Sequence, residues 1–323
     1  MIKWGIIGCG DVTEVKSGPA FNKVPNSSLV AVMRRDAVKA ADYAQRHGVP
    51  KWYGDADELI NDPDINAIYI ATPPRYHEAY TIAALQAGKD VYVEKPMTLT
   101  SASAHNMQAA AIASGKKLTV AHYRRGLQLF LQVKAAIDTG VIGEIRFVNL
   151  QMLQPHESDL ITKTADNWRV NPEISGGGLF FDLAPHQIDL MLYFFGKAKS
   201  YNGFSDNQGG YYPASDIVTG NIQFENGVLF NGIWCFTVPQ EVRKDEVEII
   251  GSKGRIRFSV FGTNFYQLEK DGQTDTITCY VPPHIQQPMI EWVVEYFSDK
   301  RANPCSAEVG IAVMQILETF DRL

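Results

Sequence analysis

Two short segments hold the residues best suited to moving a proton. Val93-Glu94-Lys95-Pro96 sets a lysine between a carboxylate and a proline, directly after an apolar run. Asp182-Leu183-Ala184-Pro185-His186-Gln187-Ile188-Asp189 spaces two carboxylates and an imidazole at i, i+4 and i+7. On a helix those positions lie one above another on a single face. Histidine titrates near neutral pH and an adjacent carboxylate can fix its tautomer, so the pair suits general acid–base work. The same three residues could instead hold a metal ion or form a buried polar cluster that ties the helix down. No metal is expected, because no further histidine or cysteine stands at ligand spacing.

Three further segments have the character of a nucleotide site. Gly8-Cys9-Gly10-Asp11-Val12-Thr13 follows an apolar run and precedes helical residues, the context of a dinucleotide fingerprint. Its two glycines let the backbone turn and approach a pyrophosphate at the start of a helix. Threonine stands at position 13 where the pattern wants Gly or Ala, and Gly18-Pro19 interrupts the helix that should follow. A plain tight turn is the competing reading. At the end of the next apolar run, Arg34 takes the place where an NAD enzyme presents a carboxylate to the ribose. A guanidinium suits a 2′-phosphate, with Arg35 or Lys39 adding to it, so the expected cofactor is NADP. Asp36 leaves NAD open, and a solvated charge run is the alternative. Thr72-Pro73-Pro74-Arg75-Tyr76-His77 follows the third apolar run, with prolines that stiffen a loop facing the cofactor. His77 reads as a structural or phosphate-side residue. Lys95 would then lie beside the nicotinamide, where a lysine can transfer a proton or polarise a carbonyl, and Glu94 is counted with it among the cofactor contacts.

The elements needed to position these groups are legible. Lys3–Ile7, Ser28–Met33, Ala67–Ala71, Asp90–Val93 and Lys117–Ala121 read as strands, with helices over Ala37–His47, Tyr76–Ala87 and Ser101–Ser114 between them. Strand and helix in alternation predict a doubly wound parallel sheet over residues 1–121, with ligands at the carboxyl ends of its strands. Residues 122–323 read differently. A helix over Gly126–Thr139 precedes a strand over Ile145–Gln154, an irregular acidic stretch and a helix over Asp182–Phe195. Strands over Ile217–Phe224, Val228–Thr237, Asp245–Gly251, Arg255–Ser259 and Asn264–Glu269 then predict a large open, mainly antiparallel sheet of an α+β domain. Helices over Pro288–Asp299 and Ser306–Phe320 close the chain, and no repeat or low-complexity tract interrupts it.

The whole chain has 323 residues, 45% hydrophobic and 20% charged, enough for two sizeable cores. Thirty basic against thirty-six acidic residues give a net charge of −6, which disfavours a nonspecific grip on nucleic acid. No apolar stretch approaches the ~20 residues that span a bilayer, and the N-terminus has no signal-peptide run, so a cytoplasmic protein is expected. Cys9, Cys235, Cys279 and Cys305 lack paired spacing and read as buried thiols. An open sheet face not covered by helices is solvated or paired, and a homodimer or homotetramer through it is expected.

The chain resembles the glucose-fructose oxidoreductase, inositol 2-dehydrogenase and MocA (Gfo/Idh/MocA) family over essentially its whole length. The resemblance lies in Ile7-Gly8-Cys9-Gly10, Ala71-Thr72-Pro73, His77, Ala87-Gly88-Lys89-Asp90-Val91, Glu94-Lys95-Pro96, Gly176-Gly177-Gly178-Leu179 and Asp182-x-x-x-His186. It implies a Rossmann domain followed by a mixed domain whose sheet serves oligomerisation. It also implies that His186 exchanges the substrate hydroxyl proton, Asp182 binds or orients substrate, and Lys95 completes the catalytic set. After the fifth predicted strand, His122-Tyr123-Arg124 resembles the family's His or Asn followed two residues later by Arg, so Arg124 and with it Tyr123 are expected at the substrate, as are Trp168-Arg169, Asp182 and His186. The expected reaction moves a hydride between NAD(P) and a carbinol or carbonyl carbon of a polyhydroxylated small molecule: a sugar, inositol or related diol. The rival readings are a noncatalytic sugar or dinucleotide sensor, and a lyase with tightly held NAD.

Overall fold

The computed structural model describes residues 1–160 and 167–322. These fall into two units, Met1–Gly126 with Pro282–Met314, and Leu127–Val281 with Gln315–Leu323. Of the irregular acidic stretch expected after Gln154, residues 161–166 lie outside the described part.

In the first unit, β1 (Ile2–Ile7), β2 (Ser27–Met33), β3 (Lys51–Tyr53), β4 (Ala67–Ile70), β5 (Asp90–Val93) and β6 (Leu118–Val120) form one parallel sheet. Its order is β3-β2-β1-β4-β5-β6, the doubly wound arrangement that the alternation predicts. The strands are apolar runs because both faces are covered: Ile6, Val32, Ile68, Tyr69, Val91 and Tyr92 are all fully buried. Connecting helices are α1 (Asp11–Val15), α2 (Ala37–His47), α3 (Ala56–Ile60), α4 (His77–Gln86) and α5 (Ser101–Ser114). α2 and α5 keep their predicted bounds because both ends are capped. Asp36 and Thr100 accept from the third residue onward, and Gly48 and Gly115 take left-handed φ of +65° and +64°.

The second unit is built on an eight-stranded sheet of β7 (Ile145–Leu153), β8 (Ala198–Asp206), β9 (Ile217–Phe224), β10 (Leu229–Cys235), β11 (Lys244–Gly251), β12 (Gly254–Phe258), β13 (Phe265–Lys270) and β14 (Gln273–Thr278). Its order is β14-β13-β12-β11-β7-β10-β9-β8, and only β7 with β10 runs parallel. The helices are α6 (Gln128–Asp138), α7 (Pro172–Ser175) and α8 (Gly178–Phe195). α8 lays aromatic residues on the sheet: Phe180 edge-on to Trp234, Phe195 against Phe224 and Phe194 against Phe258. On β7, Val148, Leu150 and Met152 face this core, while Phe147 points the other way and is 40% exposed. Its cross-strand neighbour Leu229 is 52% exposed. α9 (Gln287–Phe297) belongs to the first unit, and α10 (Ala307–Phe320) crosses the division at Met314.

β3, β8 and β14 are additions to the elements read from sequence. β3 has three residues, and β8 and β14 are edge strands of mostly exposed polar residues without apolar alternation. α8 begins four residues earlier than predicted. Gly178 opens it at φ +67°, a conformation that a glycine run supplies readily although such a run normally signals a break.

Candidate active site

The glycine loop is held by its neighbours' backbone. The amides of Gly8 and Cys9 both donate to the Met33 carbonyl, at 2.9 and 3.2 Å, joining the ends of β1 and β2. Gly8 sits at φ +95°, and a Cβ there would lie 2.9 Å from the backbone carbon and oxygen of Ala71. Gly10 is the opposite case. A Cβ there would meet nothing within 4 Å, so this position borders open space rather than protein. Asp11 is exposed and Val12 half-buried in the first turn of α1. Thr13 turns its hydroxyl back on the Gly10 carbonyl at 2.7 Å, and its own carbonyl accepts from Tyr43 at 2.8 Å. The close contact expected of a third glycine falls at Gly18 instead, where a Cβ would lie 2.1 Å from the Tyr43 hydroxyl.

At the end of β2, half-buried Arg34 donates through Nη1 to the Cys9 carbonyl at 3.3 Å. Arg35 lies over the Tyr76 ring, 4.9 Å from its centre. Asp36 is engaged by its own helix: it accepts from the Lys39 amide at 3.2 Å and pairs with the Lys39 ammonium at 3.4 Å. The hydrogen bond from the Lys39 amide holds its carboxyl below the ordinary range. Thr72 Oγ1 is a buried polar atom with no partner among the described residues. Open space at Gly10 and an unsatisfied hydroxyl at the neighbouring strand end are both what a dinucleotide would fill, so the residues fit the group. Gly8, Gly10, Arg34 and Thr72 would hold it.

His77 is fully buried, with Nε2 2.7 Å from the Thr72 carbonyl and Nδ1 3.0 Å from the Pro96 carbonyl. The ring lies between the loop of Thr72 and Pro73 and the turn after β5, and as a neutral imidazole with one N–H it donates to only one of the two carbonyls. Burial pushes its pKa down. In that turn Lys95 is half-buried and the Lys95–Pro96 peptide is cis. Glu94 is 6% exposed, with its carboxylate turned to the interior, toward Tyr69 and Gln286. Beyond β6, Tyr123 and Arg124 are both buried, with the guanidinium 5.4 Å from the ring centre. The first unit therefore gathers Gly8, Gly10, Arg34, Thr72 and Lys95 at the carboxyl ends of β1, β2, β4 and β5.

In the second unit α8 carries Asp182, His186 and Asp189 on one face, with His186 and Asp189 buried. Arg169 Nε lies 3.5 Å from Asp182 Oδ2, and the same guanidinium stacks 4.5 Å over Trp168. The His186 ring meets Phe261 edge-on, with centres 5.7 Å apart. Trp168, Arg169 and Asp182 thus form one connected group, and His186 stands one turn further along α8. Tyr69, Gln286 and Phe261 have no counterpart in the sequence reading. Nothing in their local spacing marks them, and only the fold brings them to these positions.

Residues 2–122 match the family model described as the GFO/IDH/MocA oxidoreductase family with an NAD-binding Rossmann fold, and residues 130–257 match the GFO/IDH/MocA C-terminal domain. The chain is 47% identical to "Oxidoreductase P35" of Formosa agariphila over 99% of its own length and 98% of the relative's. It is 28% identical to the 1,5-anhydro-D-fructose reductase of Ensifer adhaerens, over 79% of this chain and 75% of that one. Among solved structures, the aldose-aldose oxidoreductase of Caulobacter crescentus superposes with a TM-score of 0.86 at 21% identity, covering 99% of this chain and 96% of the other.

Proposed function

The chain belongs to the GFO/IDH/MocA oxidoreductase family, and on that premise we propose an NADP-preferring enzyme acting on a carbinol or carbonyl carbon of a sugar, inositol or related diol. That it is an NAD(P)-dependent dehydrogenase or reductase rests on the family and on its named relatives. The observation that carries the finer reading is the crescent of strand ends holding Gly10, Arg34 and Lys95 in one unit.

When bound, the nicotinamide supplies or takes the hydride, and the chain provides position and proton handling. Gly8 and Gly10 receive the pyrophosphate, and Arg34 receives the 2′-phosphate through charge-assisted hydrogen bonds. Asp36, committed to Lys39, is less suited to the ribose hydroxyls of NAD. Lys95 stabilises and moves the proton at the substrate oxygen, together with His186. Asp182, held beside Arg169, orients the substrate hydroxyls, and Tyr123, Arg124, Trp168 and Arg169 supply hydrogen bonds and an apolar plate. Sugars enter this reading through the relatives that act on 1,5-anhydro-D-fructose and on aldoses.

The reading includes a homodimer or homotetramer paired through the open sheet face, where Phe147 and Leu229 are exposed neighbours. It also places the protein in the cytoplasm, which suits four buried free thiols. No helix among the described residues is long and apolar enough to cross a membrane.

The test is oxidation of NADPH and NADH, and reduction of NADP and NAD, against D-fructose, 1,5-anhydro-D-fructose, D-glucose, myo-inositol and a cyclic trans-diol. Turnover with at least one compound, faster with the phosphorylated cofactor, supports the reading. Binding without turnover across the panel would replace it with a sensor.

A further inference from the structure

We infer that Glu94 is a positioning residue, whose buried carboxylate is held by Tyr69 and Gln286 and fixes the turn that presents Lys95. The inference rests on the proton-handling role proposed for Lys95.

The carboxylate faces three donors. Oε2 accepts the backbone N–H of Lys95 itself at 3.1 Å. Oε1 accepts from the Tyr69 hydroxyl and, at 2.8 Å, from Gln286 Nε2. Tyr69 and Gln286 are completely buried, and Glu94 nearly so. Each donor is itself fixed. Tyr69 pairs with Tyr92 across β4 and β5 and stacks on it, with ring centres 5.1 Å apart. Gln286 donates its backbone N–H to the Lys16 carbonyl at 3.1 Å, and its own carbonyl accepts from Ile290 at the start of α9 at 3.0 Å. On the far side of the turn, the His77 ring packs against the Pro96 carbonyl, with Nδ1 3.0 Å from it. Lys95 is therefore bracketed, by a carboxylate on its amide and by an imidazole on the residue after it.

Cohesion alone does not call for this arrangement. An apolar trio of similar volume would bury the same surface without desolvating a carboxylate, and such replacements are often neutral or stabilising. What the carboxylate adds is direction, because a fully satisfied buried network restricts its members to one geometry. The geometry it restricts includes the Lys95 amide.

The experiment compares Glu94→Gln, Gln286→Glu, the double exchange, Tyr69→Phe and Lys95→Met in the full chain. The substrate is the panel compound that the unmodified protein turns over fastest. In Glu94→Gln the amide can satisfy Tyr69 and Gln286 only by turning its NH2 toward the Lys95 N–H. The expected result is a fall in kcat of tenfold or more, with the cofactor KM changed less than threefold. The double exchange restores one carboxylate and one amide across the pair, and recovers kcat at least fivefold over Glu94→Gln. Tyr69→Phe removes one donor and keeps the ring, so it keeps the fold testable, and it lowers kcat in the same direction. Competitive labelling of Lys95 by acetic anhydride in the NADPH complex reports the same displacement without any substrate. An inactive Lys95→Met beside a Glu94→Gln and a Tyr69→Phe with unaltered kcat, pH profile and labelling would overturn the positioning role alone. Normal turnover in Lys95→Met would overturn the role of Lys95 and this inference with it.

Discussion

Arg34 at the end of β2 donates to the carbonyl of Cys9, the residue between the two loop glycines, at 3.3 Å. The bond joins the place where a 2′-phosphate would sit to the loop that would receive the pyrophosphate. Replacing Arg34 by Ser should raise the KM for NADPH roughly 10- to 100-fold, as expected for loss of one charged hydrogen bond of about 1.5–3 kcal/mol. The KM for NADH should change far less. Steady-state kinetics with both cofactors decide it, and equal losses for the two would remove the case for NADP.

The glycines at 8 and 10 should separate folding from binding. A Cβ at Gly8 meets backbone at 2.9 Å and takes a strained φ, so Gly8→Ala should lower the thermal midpoint by several degrees. A Cβ at Gly10 meets nothing, so Gly10→Ala should leave the midpoint within about 2 °C while weakening NADPH binding by at least tenfold. Scanning calorimetry with fluorescence titration reads both, and intact binding in Gly10→Ala would move the pyrophosphate elsewhere.

His77 should impose a pH dependence on stability. Its ordinary value is 6.5, and burial lowers it in the folded protein. The unfolded chain therefore binds the proton more readily. The contribution is fully present above 6.5 and is lost as the pH falls through the folded value, at up to ~1.4 kcal/mol per pH unit. Urea denaturation from pH 7.5 down to 4.5 should show a component with this sign that disappears in His77→Asn. An unchanged slope in the variant would place the dependence on other groups.

On α8, Gln187 stands next to His186 and accepts from the Trp234 indole at 2.6 Å, with both side chains fully buried. Gln187→Leu leaves that N–H without an acceptor and should cost about 1–3 kcal/mol. Adding Trp234→Phe should cost less than the sum of the single changes, because the orphaned donor is gone. Strict additivity in denaturant unfolding would mean that the bond contributes nothing.

The strands ending at Ile7, Met33, Ile70 and Val93 are apolar runs because both sheet faces are buried, so they are readable from sequence. β8 and β14 were not, because an edge strand of exposed polar residues satisfies its backbone without an apolar pattern. Within the candidate site, residue type was legible and side-chain direction was not. Glu94 reads as one of the cofactor contacts, yet its carboxylate points inward to a partner 192 residues away. His77 reads as structural or phosphate-side, and both its nitrogens face backbone carbonyls. Such directions follow from long-range packing that local spacing does not encode.

Lys95 is the residue proposed to handle the proton of the NAD(P)-dependent redox step. Its most direct test is the single-turnover rate of cofactor oxidation or reduction in Lys95→Met, measured with the fastest panel compound at saturating NADPH or NADP. The expected rate is lowered at least 100-fold, the range of general acid–base catalysis, with cofactor affinity within a few-fold of the unmodified protein. A rate within threefold of normal would contradict it.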